Sequence, residues 1–272
     1  YPCVEVKLSK VMHNVKEILS MCNEKGIDVI GVTKVFCAET PIIKAMLRGG
    51  ITQVGDSRIQ NLKKINDIKC RKMLLRISME SEVEDVVKYS DVSLNSELDT
   101  IKALSKAAKR LKKFHNIILM VDIVDLREGV LVEDVIATAE EIFKLDNINL
   151  VGLGTNVTCY GGVLPDKDNL GKLVKLKRDI KQIFNIDLPS ISGGNSSSLY
   201  MVMENIMPEE INQLRVGEGI VLGRETSFGK SIPNCYDDAF ILKGEIVEIK
   251  NKPTVPTGRI GMDAFGQTPH FE

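Results

Sequence analysis

A lysine ends an apolar, β-branched run, Val29-Ile30-Gly31-Val32-Thr33-Lys34-Val35. Burial at a strand end disfavours the ammonium form and leaves a nucleophilic amine fit for a Schiff base. The same spacing also suits a lysine that snorkels from the strand end into solvent. A second candidate is Gly193-Gly194-Asn195-Ser196-Ser197-Ser198, which precedes an apolar helical run. Glycines and hydroxyls at a helix N-terminus cradle a phosphate through backbone N–H groups, and they equally make an ordinary N-cap turn. Arg215-Val216-Gly217-Glu218-Gly219 follows on the next apolar run. Further polar residues sit at the ends of other runs: Gly55-Asp56-Ser57-Arg58, Asp122 with Arg127-Glu128-Gly129, and Thr155-Asn156 with Thr158-Cys159-Tyr160-Gly161-Gly162. Cys159 and Tyr160 are titratable groups in a glycine-ended loop. A thiol near ~8.5 needs less help than a phenol near ~10 to move a proton at neutral pH.

These residues need elements to position them. Leu8, Val11, Val15, Ile18, Leu19 and Cys22 recur at helical spacing before Gly26, which reads as a C-cap. Strands are expected at 29–35, 53–57, 72–78, 92–96, 116–123, 149–156, 188–193 and 213–222, eight in all. Helical segments separate them near 41–49, 58–69, 80–88, 97–112, 132–144, 166–184 and 196–204. Strand–helix alternation argues a parallel sheet, and eight units argue a closed (β/α)8 TIM barrel, with an open doubly wound sheet as the rival. In a barrel the polar strand ends meet at the C-terminal face, and a phosphate site often lies after strands 7 and 8. Beyond Ser227 the pattern changes. Residues 238–249 read as strand, with alternation from Gly244 onward, followed by Pro253, Pro256 and three glycines in 258–266. The expected organisation is a barrel over 1–227 and the beginning of a β-rich domain, not completed, over 228–272.

Bulk composition excludes several function classes. The net charge of −1 with 27% charged residues gives no basic footprint for nucleic acid. No run approaches the ~18 apolar residues of a membrane span, and Tyr1-Pro2-Cys3-Val4-Glu5 has neither the basic nor the apolar region of a signal peptide. Six scattered cysteines without a CxxC pair read as reduced thiols, so the cytoplasm is expected. With three histidines, no His-rich metal site is expected. His13 reads as a helix-face or capping residue, and His115, beside Lys112-Lys113, as solvated.

Taken in order, these motifs resemble the alanine racemase family of pyridoxal phosphate (PLP) barrels. Glu5-Val6-Lys7-Leu8 with His13-Asn14-Val15 resembles its opening strand and helix, and Val32-Thr33-Lys34 the strand that carries its PLP lysine. Leu126-Arg127-Glu128-Gly129 resembles its catalytic arginine loop, and Leu214-Arg215-Val216-Gly217 the strand whose arginine faces the pyridine nitrogen. Val54-Gly55-Asp56-Ser57-Arg58-Ile59-Gln60 is similar to a segment of the short PLP-homeostasis proteins. The ornithine racemase branch is resembled most, through Thr158–Gly162, Ser192–Ser198, Gly223-Arg224-Glu225 and Met262-Asp263-Ala264-Phe265-Gly266.

The resemblance implies a PLP-dependent racemase of ornithine or a similar basic amino acid. Lys34 would bind the cofactor as a Schiff base and move a proton on one face. Asn195, Ser196 and the amides of Gly217 and Glu218 would hold the phosphate, and Arg215 the ring nitrogen. Asn156 stands where the family has a histidine beneath the ring. Arg127 would orient the catalytic machinery or the substrate carboxylate. The family's tyrosine four residues after the lysine is Ala38 here, and its partner-subunit tyrosine has no clear match, the nearest position being Thr257. That leaves Cys159 and Tyr160 as candidates for the second acid/base. A homodimer is implied, its site completed by the partner's segment around Val255–Phe265. Two rivals share the barrel: a non-catalytic PLP carrier, and a lyase such as a D-threonine aldolase, which would want a metal.

Overall fold

The computed structural model describes residues 1–271. Runs of β-branched residues become short strands, and the amphipathic stretches between them become helices. The strands are β1 (Cys3–Val6), β2 (Asp28–Val32), β3 (Gln53–Asp56), β4 (Arg71–Leu74), β5 (Val92–Asn95), β6 (His115–Asp122), β7 (Val130–Leu131), β8 (Ile148–Gly154), β9 (Ser190–Ser192), β10 (Gln213–Val216) and β11 (Phe240–Lys243). Eight of them pair in parallel in the order β2-β3-β4-β5-β6-β8-β9-β10, and β10 pairs back onto β2 with Leu214 opposite Val29. The sheet is therefore closed, and the barrel is the architecture.

Alternation along each strand splits the apolar residues into two cores. Ile30, Met73, Val92, Leu94, Ile118 and Met120 pack together in one cluster, while their strand neighbours Val29, Leu74, Ile117, Leu119 and Val121 pack with the helices in the other. Strands buried on both faces explain why these segments read as nearly continuous apolar runs. The helix Lys167–Phe184 opens with a capping box between Asp166 and Asn169. Asn14 is fully buried in the helix Leu8–Asn23. Its amide donates to the carbonyls of Ile220 (3.0 Å) and Tyr236 (2.8 Å), and its oxygen accepts from the Tyr236 N–H (2.7 Å). Lys7 and Lys10 both pair with Asp238, closing the returning chain onto that helix.

The elements depart from the sequence reading in three places. Residues 213–222 are not one strand. Gly217 turns the chain (φ −122, ψ −67), and Glu218–Leu222 is a short helix ended by Gly223 at φ +61. Lys34 is not inside a buried strand. β2 stops at Val32, Thr33 adopts helical dihedrals, and Lys34 begins a 3-10 turn with its side chain exposed. The expected strand 238–249 is real only over Phe240–Lys243. Residues 244–271 form no helix or strand, since the alternating Ile246, Val247 and Ile249 are exposed and find no ladder partner among the described residues.

The chain divides into a barrel unit, residues 6–241, and a small unit of residues 1–5 with 242–272. In the small unit Lys243 pairs with Glu5, and Asp263 caps a turn by accepting from the amides of Phe265 (2.8 Å) and Gln267 (3.0 Å). No helix among the described residues is long and apolar enough to cross a membrane.

Candidate active site

A cavity of about 530 Å³ opens at the C-terminal ends of the barrel strands. That is within the range of small-molecule sites, roughly 300–1,000 Å³. It gathers Lys34, Arg127, Asn156, Cys159, Asn195, Ser196, Arg215, Gly217 and Glu218 from five separate stretches of chain. Tyr160 is the one residue of the expected set that does not line it. Its side chain is 74% exposed, because Asp125 holds the loop by the backbone instead. The Asp125 carboxylate is buried and accepts from the amides of Tyr160 (3.1 Å), Gly161 (3.0 Å) and Val163 (3.3 Å).

The lysine is placed by the strand beside it. Asp56, fully buried on β3, accepts from Thr33 Oγ1 (2.7 Å), the Arg58 N–H (2.9 Å) and Asn61 Nδ2 (2.9 Å), and the Thr33 amide donates to Gly55 O (2.8 Å). Thr33 is thus pinned on both its backbone and its side chain, which aims Lys34 into the mouth of the barrel. Asp56 itself does not line the cavity.

Arg215 is buried on β10. Its guanidinium donates to Ser192 Oγ and to Thr155 O (2.6 Å). Burial pulls it down to about 10, against the favourable charges of Glu128 and Cys159. It remains a cation at neutral pH, with five N–H donors and no acceptor. Next to it Ser196 Oγ accepts from the amides of Gly217 (3.3 Å) and Gly219 (3.1 Å), so its own proton is left to donate elsewhere. Asn195 ties the neighbouring loops together. Its Nδ2 donates to Asn156 Oδ1 (2.7 Å), Val157 O (3.2 Å) and Cys159 Sγ (3.4 Å), while its Oδ1 accepts from the Ser197 amide (2.7 Å). Ser197 Oγ is buried with no hydrogen-bond partner among the described residues.

Glu128 lines the cavity with 24% of its side chain exposed, and its Oε2 forms an ion pair with Arg127 Nε (2.7 Å). Burial raises its carboxyl above the usual range. Arg127 and Arg215 oppose the rise, while Asp122 and Asp125 add to it. Gly129 lets this loop fold back on β6. It sits at φ +139, and a Cβ there would lie 2.3 Å from the Asp122 nitrogen.

The donor set fits pyridoxal phosphate. A primary amine suits its aldehyde, a hydroxyl with converging amides suits its phosphate, and a fixed guanidinium suits its ring nitrogen. Val32 and Leu75 supply apolar wall for the ring. Two buried carboxylates shape the site: sequence reasoning missed Asp125 and quoted Glu225 only within a motif, with no role. Asp125 fixes the Cys159 loop. Glu225 accepts from the amides of Ser227 (2.7 Å), Phe228 (3.1 Å) and Lys230 (2.7 Å) and so fixes the loop that brings Thr226 to the cavity. A carboxylate that follows an apolar pair, Ile123-Val124, and precedes a polar loop is the signal that could have found Asp125; Glu225, after Gly223-Arg224, carries no such signal.

Comparison with known proteins agrees with this geometry. Residues 6–225 match the family model "Alanine racemase, N-terminal domain". Over the whole chain it is 49% identical to ornithine racemase of Acetoanaerobium sticklandii, covering 77% of that protein. It is 35% identical to lysine racemase of Thermotoga maritima, covering 76% of it. Among solved structures, 88% of the chain superposes on alanine racemase of Clostridium difficile 630 with a TM-score of 0.70 and 18% identity. The chain spans 62% of that longer protein. The PLP-bound PipY of Synechococcus elongatus PCC7942 has the same fold (TM-score 0.64, 17% identity, 76% of this chain and 99% of that one). The chain therefore belongs to the alanine racemase family, through the N-terminal barrel domain of its pyridoxal-phosphate-dependent amino-acid racemases.

Proposed function

We propose that this PLP-dependent racemase interconverts the L and D forms of ornithine or a similar basic amino acid, moving a proton at Cα between two groups in one cavity. The observation that supports this substrate is the 49% identity to a relative named for it, sustained over the whole chain. A non-catalytic PLP carrier is not favoured, because both curated relatives are racemases.

Lys34 Nζ would hold the cofactor and carry the proton on one face. Ser196 Oγ with the amides of Gly217 and Glu218 would bind its phosphate, with Asn195 and Asn156 bracing that wall. When bound, PLP supplies the electron sink that lets the Cα proton leave. Arg215, which keeps its own proton, would donate to the ring nitrogen of bound cofactor, which would limit how far charge spreads and so restrain side reactions. Arg127 orients the substrate carboxylate. The second face falls to Cys159, whose Sγ is at the cavity and within reach of Asn195. Tyr160 is the weaker candidate because its phenol is out in solvent.

In this reading residues 1–227 are the cofactor-binding barrel and 228–272 open a β-rich domain. A homodimer brings the partner's stretch around 255–265 to the site, and the exposed apolar side chains Ile246, Val247, Met262 and Phe265 suit such burial. The six free thiols suit a reducing cytoplasm. The holoprotein should be yellow, and borohydride reduction should fix the cofactor on the peptide containing Lys34. Label on any other lysine overturns the assignment. Lys34→Ala should fold normally and lose both the colour and the activity.

A further inference from the structure

A basic amino acid differs from alanine by a second ammonium, and the cavity must supply something to read it. Six carboxylates lie in or beside the loops around the mouth, and the structure disposes of most of them. Asp56 is fully buried, spent on Thr33, Arg58 and Asn61, and away from the cavity. Asp122 accepts from the Leu126 amide (3.1 Å). Asp125 and Glu225 each accept from three backbone amides. Two carboxylates line the cavity, Glu128 and Glu218. Glu218 pairs with Arg224 at 3.3 Å with about half of each side chain in water, where an ion pair discriminates little.

Resting on the proposal of a basic substrate, we propose that Glu128 is its specificity determinant, the carboxylate that receives the distal ammonium. Its Oε2 is engaged by Arg127, and no hydrogen bond to Oε1 forms among the described residues. The lining carries Lys34, Arg76, Arg127 and Arg215 against only Glu128 and Glu218, so a distal ammonium has only these two carboxylates in the wall to pair with. The resident pair is also a template for the ligand. Arg127 and Glu128 are a cation and an anion on consecutive residues. A molecule carrying a carboxylate and a second ammonium offers the opposite charge to each.

The test compares two substrates of the same carbon skeleton, L-ornithine and L-norvaline, which lacks the distal amine. The wild-type holoprotein should prefer ornithine in kcat/KM. Glu128→Gln should lower that ornithine-to-norvaline ratio by about 10- to 100-fold, as loss of a hydrogen bond to a charged group does. Glu128→Asp should recover part of it. A purely structural role would depress both substrates together and leave the ratio intact, and that result overturns the assignment alone. A wild type with no preference for ornithine overturns the basic-substrate reading as well.

Discussion

The imidazole of His115 is 1% exposed at the start of β6, with Nε2 2.9 Å from Ser93 Oγ. The sequence reading expected it in solvent because of the two lysines before it. Burial lowers it from 6.5 to about 4, Asp91 opposing and Lys113 assisting. The folded protein keeps it neutral, so the unfolded chain binds the extra proton. The stability it confers is therefore complete above pH 6.5 and lost as pH falls toward 4, by as much as ~3 kcal/mol. Urea unfolding between pH 7 and pH 4 should show that loss, and His115→Gln should show a shallower one. Arg215 is the other buried ionisable group of note. Arg215→Ala leaves Thr155 O and Ser192 Oγ without their donor and should lower stability by roughly 1.5–3 kcal/mol, read from the urea midpoint. That Lys34, Arg127, Cys159, Ser196 and Arg215 would meet at one end of a barrel was legible in the sequence, because each lies at or just beyond the end of an apolar run. Exposure was not, because it depends on side chains distant in sequence that pack over a residue.

At the scale of elements, the eight strands were visible because strands buried on both faces must be continuously apolar. Boundaries were less so. Gly219-Ile220-Val221-Leu222 looks like strand by residue type, yet the turn at Gly217 makes it the body of the short helix Glu218–Leu222, which packs against the helix Leu8–Asn23 through Asn14. Residues 244–249 alternate like a strand, but alternation alone forms nothing without a neighbouring edge. The loop carrying Cys159 depends on a contact with no sequence pattern, the Asp125 carboxylate gripping residues 160–163 from 35 to 38 positions away. Asp125→Ala should free those three amides. Hydrogen exchange by mass spectrometry should show the 158–163 peptide exchanging about tenfold faster or more, with the barrel strands unchanged.

For the whole molecule, a closed barrel supplies the cavity at its strand ends, and in the proposed homodimer a partner chain would add to it. If the active unit is a dimer, dilution below its dissociation constant should reduce racemase activity while the cofactor absorbance stays constant. Activity per chain that is constant over a hundredfold dilution to sub-nanomolar protein would speak for a site complete in one subunit. At this level composition gave only a near-neutral charge balance, with no cause to expect nucleic acid. Substrate identity was not legible, because it turns on which carboxylate remains free once the loops are folded. The central claim is that both enantiomers of one amino acid exchange Cα hydrogen here. It is tested most directly by following the optical rotation of L-ornithine and, separately, D-ornithine with the holoprotein in D2O. Both should decay to zero rotation with deuterium at Cα. Persistent rotation from either enantiomer, with PLP bound, would contradict the account.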